Sequence, residues 1–113
     1  EARAAVPAAA LAHGEKRALE LAVALALDPE VLVLDEPMAG VGVDEGARLI
    51  ELLQRLKSRL PMLLIEHDMA AVFRLADRVS VLVYGRVIAS GTPEAVRADP
   101  AVREAYLGEE TAL

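Results

Sequence analysis

Cysteine, tryptophan and asparagine are absent from the 113 residues, and glutamine occurs once, at Gln54. Without cysteine there is no disulfide framework and no thiolate metal site, which fits a cytoplasmic protein. Scarcity of the thermolabile amides is a trait of heat-adapted proteins. The aromatic residues are Phe73, Tyr84 and Tyr106 alone, so aliphatic side chains must supply the packing. So thin a set argues against single-stranded nucleic-acid binding, which needs stacking platforms. No run of 18 apolar residues occurs, so no segment reads as a membrane-spanning helix. Positive charge is in deficit, with 12 Lys and Arg against 18 Asp and Glu and a net charge of -6. That balance disfavours nucleic acid and anionic lipid as partners. It leaves a nucleotide site open, because backbone N–H groups and a metal ion can neutralise phosphate. The Ala-rich opening over residues 1–10 contains Pro7 and has no basic start, unlike a signal peptide, and is expected to be the remainder of a longer upstream region.

What is present is a 55% hydrophobic chain, enough for one modest core. After Gly14, Ala18, Leu21, Ala22 and Leu25 fall at the spacing of one helical face, and Asp28-Pro29 ends that helix. Val31 to Leu34 is a short apolar run that predicts a strand buried on both faces. Gly40 and Gly42 mark a loop, with Asp44 the expected N-cap of the next helix. Leu49, Leu52, Leu53, Leu56 and Leu60 form that helix's apolar stripe, and Pro61 closes it. Met62 to Ile65 predicts a second buried strand, and Met69, Val72, Phe73 and Ala76 a short helix. Val79–Val83 and Val87–Ala89 predict two more strands joined by a tight turn at Tyr84-Gly85, and Thr92-Pro93 opens a final helical region. Alternation of this kind predicts an α/β layer with mostly parallel strands.

Asp35 and Glu36 directly follow the first apolar run. The C-terminal end of a buried parallel strand is where open α/β folds bind ligands. Two adjacent acids there can divide the labour, one holding Mg²⁺ and the other orienting or deprotonating a water. Alone, Asp-Glu-Pro also fits a solvated loop. His67 follows the second strand and should reach the same sheet edge, where an imidazole can hydrogen-bond a phosphate. A lone histidine is more often structural, and its equivalent placement beside the acids is what raises its interest. Gly14 permits close backbone approach at a helix start that favours an anion, although an ordinary helix start fits as well. His13, read alone, is a surface residue.

In combination, Leu-Ala-His-Gly-Glu (11–15), Val-Leu-Val-Leu-Asp-Glu-Pro (31–37) and Leu-Ile-Glu-His-Asp-Met (64–69) resemble the signature motif, Walker B and switch histidine of ABC ATPases. Order and spacing match as well as content, and the resemblance runs from Leu11 to about Glu110. Glu66-His67-Asp68-Met69, Gly91-Thr92-Pro93-Glu94 and Tyr106-Leu107-Gly108-Glu109 look like the branched-chain amino-acid importer subfamily. The resemblance implies an incomplete P-loop NTPase core of the RecA-like kind, with mostly parallel strands, a C-terminal hairpin and flanking helices. Residues 1–28 would end a helical subdomain carrying the signature, 29–92 would be part of the RecA-like core, and 93–113 a helical tail. ATP and Mg²⁺ are the implied ligands. Asp35 would hold Mg²⁺ through water, Glu36 would be the general base, and His67 would contact the γ-phosphate. Ala39, Gly40, Val41 and Gly42 would form the D-loop that crosses a dimer interface. Leu11, Ala12, His13, Gly14 and Glu15 would face the ATP of the opposite subunit.

The implied function is that of the C-terminal portion of an ATP-hydrolysing subunit energising import of branched-chain amino acids or similar small solutes. Its partners would be a second copy or a related ATPase subunit and integral-membrane permease subunits, at the inner face of the cell membrane, with no nucleic acid. A non-transport ABC head segment and a partner-binding half-domain are the rival readings. The sequence departs from the family at Ala12, where serine is usual; losing that hydrogen bond to a phosphate would cost roughly 1.5–3 kcal/mol. Gly42 stands where a polar residue is common. No Gly-x-x-x-x-Gly-Lys-[Ser/Thr] occurs, so the phosphate cradle is missing and the chain alone is expected not to hydrolyse ATP. The family's strand between those of 62–65 and 79–83 is missing too, so open strand edges and self-association are expected.

Overall fold

The computed structural model describes residue 7 and residues 13–107. The chain divides into two compact units, Glu1–His67 and Asp68–Leu113. In the first, α1 (His13–Ala26), β1 (Leu32–Asp35), α2 (Val43–Leu56) and β2 (Met62–Ile65) follow in order. Helix α1 stops ahead of Asp28-Pro29 as expected, but by another geometry. Asp28 takes a left-handed φ of 52° in place of the extended form, a conformation aspartate tolerates better than most residues. Its inner face is also rotated from the expected one. Leu21 is buried, but Ala18 and Ala22 are exposed. Arg17, Leu21 and Ala24, at helical spacings of three and four, instead share a cavity of about 220 Å³ with Leu32, Leu49 and Leu53.

Helix α2 starts one residue ahead of Asp44, with extended Gly42 as a cap that offers no side chain. Asp44 therefore sits in the first turn beside Glu45, where both carboxylates complement the helix dipole. Gly46, Leu49, Ile50 and Leu53 are its buried line, and the helix ends at Leu56, so Leu60 lies in the turn before Pro61. Strands β1 and β2 pair in parallel, with Leu32 opposite Met62 and Asp35 opposite Ile65. Burial alternates along both, which corrects the expectation of strands covered on two faces. Leu32 is buried, whereas Val33, Leu63 and Ile65 are 60%, 56% and 48% exposed. One layer of helices can cover only one face of a strand pair.

The second unit runs α3 (Met69–Leu75), β3 (Val79–Val83), β4 (Arg86–Gly91), α4 (Pro93–Ala98), α5 (Pro100–Val102) and a π-helical turn over Arg103–Leu107. Side-chain caps start its helices: Asp68 accepts the Ala71 N–H at 3.1 Å and Thr92 accepts that of Ala95 at 3.2 Å. Val72, Val79, Val81, Val96 and Val102 form its core, with aliphatic side chains supplying the packing as the composition requires. The β3–β4 hairpin closes through Tyr84 and Gly85, both at positive φ (46° and 77°), the combination that two-residue hairpin turns demand. The Tyr106 hydroxyl donates to the Leu82 carbonyl.

The element order is the α/β order expected, but the mostly parallel layer is reduced to the β1–β2 pair. The four strands form two separate two-stranded sheets, one parallel and one antiparallel, and among the described residues each strand has a ladder partner on one side only.

Candidate functional site

Two loops leave β1 and β2 at the same end, because the strands are parallel neighbours in register. The Glu36 N–H donates to the Ile65 carbonyl at 2.7 Å, carrying the ladder one step past Asp35. Glu36 then adopts φ of 48°, a left-handed value that costs a residue with a Cβ about 1–2 kcal/mol. The chain folds back over itself there: Ala39 N–H donates to the Glu36 carbonyl at 3.1 Å, and Val41 N–H to that of Met38 at 3.2 Å. Ala39, Gly40, Val41 and Gly42 follow as the connection into α2, with Gly40 at φ of 72°. Arg17 of α1 reaches the Ala39 carbonyl with a guanidinium nitrogen at 3.5 Å.

Glu36 and His67, 31 positions apart, meet directly. His67 Nδ1 lies 2.8 Å from Glu36 Oε1. An ionised carboxylate only accepts, so the imidazole donates this bond from Nδ1, and Nε2 takes no part in it. The side chains are 72% and 50% exposed, so the pair contributes only about 0.2–1 kcal/mol to stability and can exchange partners readily. Asp35 is exposed at the end of β1, sharing a face with Val33 rather than with Glu36.

Glu66, in the sequence one member of the Leu-Ile-Glu-His-Asp-Met run, is central to the geometry. Its side chain is 1% exposed. One carboxylate oxygen accepts the Met38 N–H at 3.1 Å and the other accepts the His67 N–H at 3.1 Å. The signal that could have found it is its phase: positions 62, 64 and 66 share the less exposed side of β2.

The residues of the 11–15 motif are only partly in view. His13 opens α1, and Glu15 is in its first turn. Leu11 and Ala12 lie outside the described residues, as does the end of the 106–109 motif. Gly14 faces its own chain: a Cβ built there would come within 2.2 Å of Glu45 Oε2 and 2.9 Å of Glu45 Cβ. Its lack of a side chain therefore serves the approach of α1 to α2. Among the described residues there is no group of three or more His, Cys, Asp or Glu side chains arranged to hold a metal ion, and no helix is long and apolar enough to cross a membrane.

Comparison with known proteins bears on the family of the chain. The family pattern described as ABC transporter matches residues 1–39, and that described as branched-chain amino acid ATP-binding cassette transporter matches residues 86–112. The chain is 46% identical over 101 residues to the high-affinity branched-chain amino acid transport ATP-binding protein LivG of Escherichia coli K12, covering 88% of this chain and 40% of that protein. It is 43% identical over 104 residues to the corresponding protein BraF of Pseudomonas aeruginosa, covering 90% and 41%. Among solved structures, MJ1267, an ATP-binding cassette of an ABC transporter, superposes with a TM-score of 0.80 at 31% identity, over 91% of this chain and 43% of that one. The chain thus spans about 40% of the length of the relatives it matches.

Proposed function

Because this chain belongs to the ABC transporter ATP-binding family, we propose that it is the C-terminal portion of an ATP-hydrolysing subunit that energises import of branched-chain amino acids or similar small solutes. The observation that carries the reading is the 2.8 Å contact of Glu36 with His67 beyond the ends of two parallel strands. Glu36 is the general base: one oxygen holds His67, and the other takes a proton from the attacking water as the bond from the γ-phosphorus to ADP breaks. His67, oriented through Nδ1, turns Nε2 toward the γ-phosphate. Mg²⁺ needs oxygen ligands and commonly only one or two protein carboxylates, the rest being phosphate and water. The exposed carboxylate of Asp35 fits that demand, and a bound Mg²⁺ would neutralise phosphate charge.

By the family resemblance, the 11–15 motif and the D-loop over 39–42 would serve nucleotide shared with a second copy or a related ATPase subunit, so that ATP clamps two subunits together and hydrolysis parts them. Permease subunits at the inner face of the membrane receive that motion. The chain by itself has no phosphate-binding loop and no turnover. The test is Glu36→Gln in an intact subunit containing these residues. Turnover should fall by about 100- to 10,000-fold, the usual contribution of a general base, while ATP binding and dimerisation persist. Unchanged turnover would remove Glu36 from the role of base.

A further inference from the structure

We propose that Glu66 is the positioning residue of this site, holding Glu36 and His67 in contact by tying together the two peptide N–H groups that follow the strands. The inference rests on the hydrolytic reading above. Nothing in the β1–β2 ladder fixes the loops beyond the Glu36 N–H, so their approach needs another source. The Glu66 carboxylate supplies it. Oε2 accepts from Met38, two residues past the base, and Oε1 accepts from His67 itself. His67 Nδ1 is also 3.7 Å from Glu66 Oε1, so this one nitrogen lies near both the Glu36 and the Glu66 carboxylates.

The bridge requires a carboxylate. Two N–H donors meet two separate oxygens, and ionised glutamate offers acceptors on both. Glutamine fills the same space but carries an NH₂ on one arm, which would face a backbone N–H and leave it without an acceptor. At 1% exposure, water has little access to replace the lost bond. Release of either loop would separate Glu36 from His67 without touching a ligand. A misplacement near 1 Å of reacting groups can cost about 100-fold in rate.

The experiment is a double-mutant cycle of Glu66→Gln and His67→Ala in an intact ATP-binding subunit containing this segment, measuring kcat and KM for ATP together with the backbone amide resonances of Met38 and His67. Glu66→Gln should lower kcat by about 100-fold, with KM changed far less, and both amides should shift. On a His67→Ala background the same change should cost little more, because the two residues act as one unit. Glu66→Asp, which retains both acceptors on a shorter stem, should recover part of kcat, and the same cycle run with it decides the matter if the Gln variant does not fold. Losses that multiply independently, or a Glu66→Gln variant with wild-type kcat, would overturn the inference and leave the proposed function standing. A folded wild-type subunit with no ATP turnover would overturn both.

Discussion

Gly46 of α2 lies where a Cβ would come within 3.0 Å of the Met38 methyl, with Val41 Cγ1 at 3.9 Å. The small residue is thus a seat for the loop that follows Glu36. The same Met38 gives its N–H to Glu66, so one residue is held by its backbone from β2's end and by its side chain from α2. Glycine inside a helix costs about 1 kcal/mol relative to alanine, and here that cost purchases room for Met38.

The balance predicts a background-dependent effect of Gly46→Ala. In the wild-type chain the propensity gain of about 1 kcal/mol is offset by displacement of the Met38 methyl, so stability should change little. With Met38→Ala already made, Gly46→Ala should stabilise by about 1 kcal/mol. Urea denaturation of the four proteins measures the cycle. Equal effects of Gly46→Ala in both backgrounds would mean that Met38 does not sit in this seat.

Tyr84 offers a second measurable asymmetry. Its side chain is wholly exposed, yet its φ of 46° is a left-handed value that a tyrosine adopts at a cost. Asn-Gly is the preferred pair for a turn with two positive φ angles. Tyr84→Asn should therefore raise stability by about 0.5–1 kcal/mol, and Gly85→Ala, placed at φ of 77°, should lower it by about 1–2 kcal/mol. Thermal unfolding followed by circular dichroism gives both signs. A destabilising Tyr84→Asn would show that tyrosine makes a contact worth more than its backbone strain.

The order of elements was legible because short apolar runs end at chemically distinct residues: Pro61 before β2, Gly85 in the hairpin and Thr92-Pro93 at α4. The convergence of Glu36 and His67 was legible for a related reason, since each follows a strand and parallel neighbours end at one edge. Glu66 was not, because in a local window a charged residue between Ile65 and His67 reads as solvated. Only the two-residue period of β2 places it on the less exposed side. Val33, Leu63 and Ile65 misled in the opposite direction. Their hydrophobicity announces a face that can be buried, but no local pattern says whether the covering layer lies in the same 113 residues. Asp44 failed as a cap because a good capping side chain one residue inside a helix is also a good first-turn residue, and the choice depends on where Gly42 extends.

That exposed face carries the last prediction. Val33 and Leu63 are paired in register, and Ile65 lies two residues along the same side of β2, so the three present an apolar strip beside strand edges that have no ladder partner among the described residues. Complete burial of a Val, Leu or Ile side chain is worth about 1.5–3 kcal/mol, and open edges supply backbone hydrogen bonds in addition. The isolated 113-residue chain should therefore self-associate at micromolar concentration, which light scattering reads directly. Leu63→Lys puts a charge at the centre of the strip without altering a backbone donor or acceptor. It should shift the population toward monomer, whereas Glu30→Lys, an exposed change ahead of β1, should not. A wild-type chain that stays monomeric with slowly exchanging amides along β1 and β2 would show that the strip and edges are covered within one molecule. In an intact subunit the residues outside this segment would cover the same strip, so Leu63→Lys should there cost stability in place of lowering association.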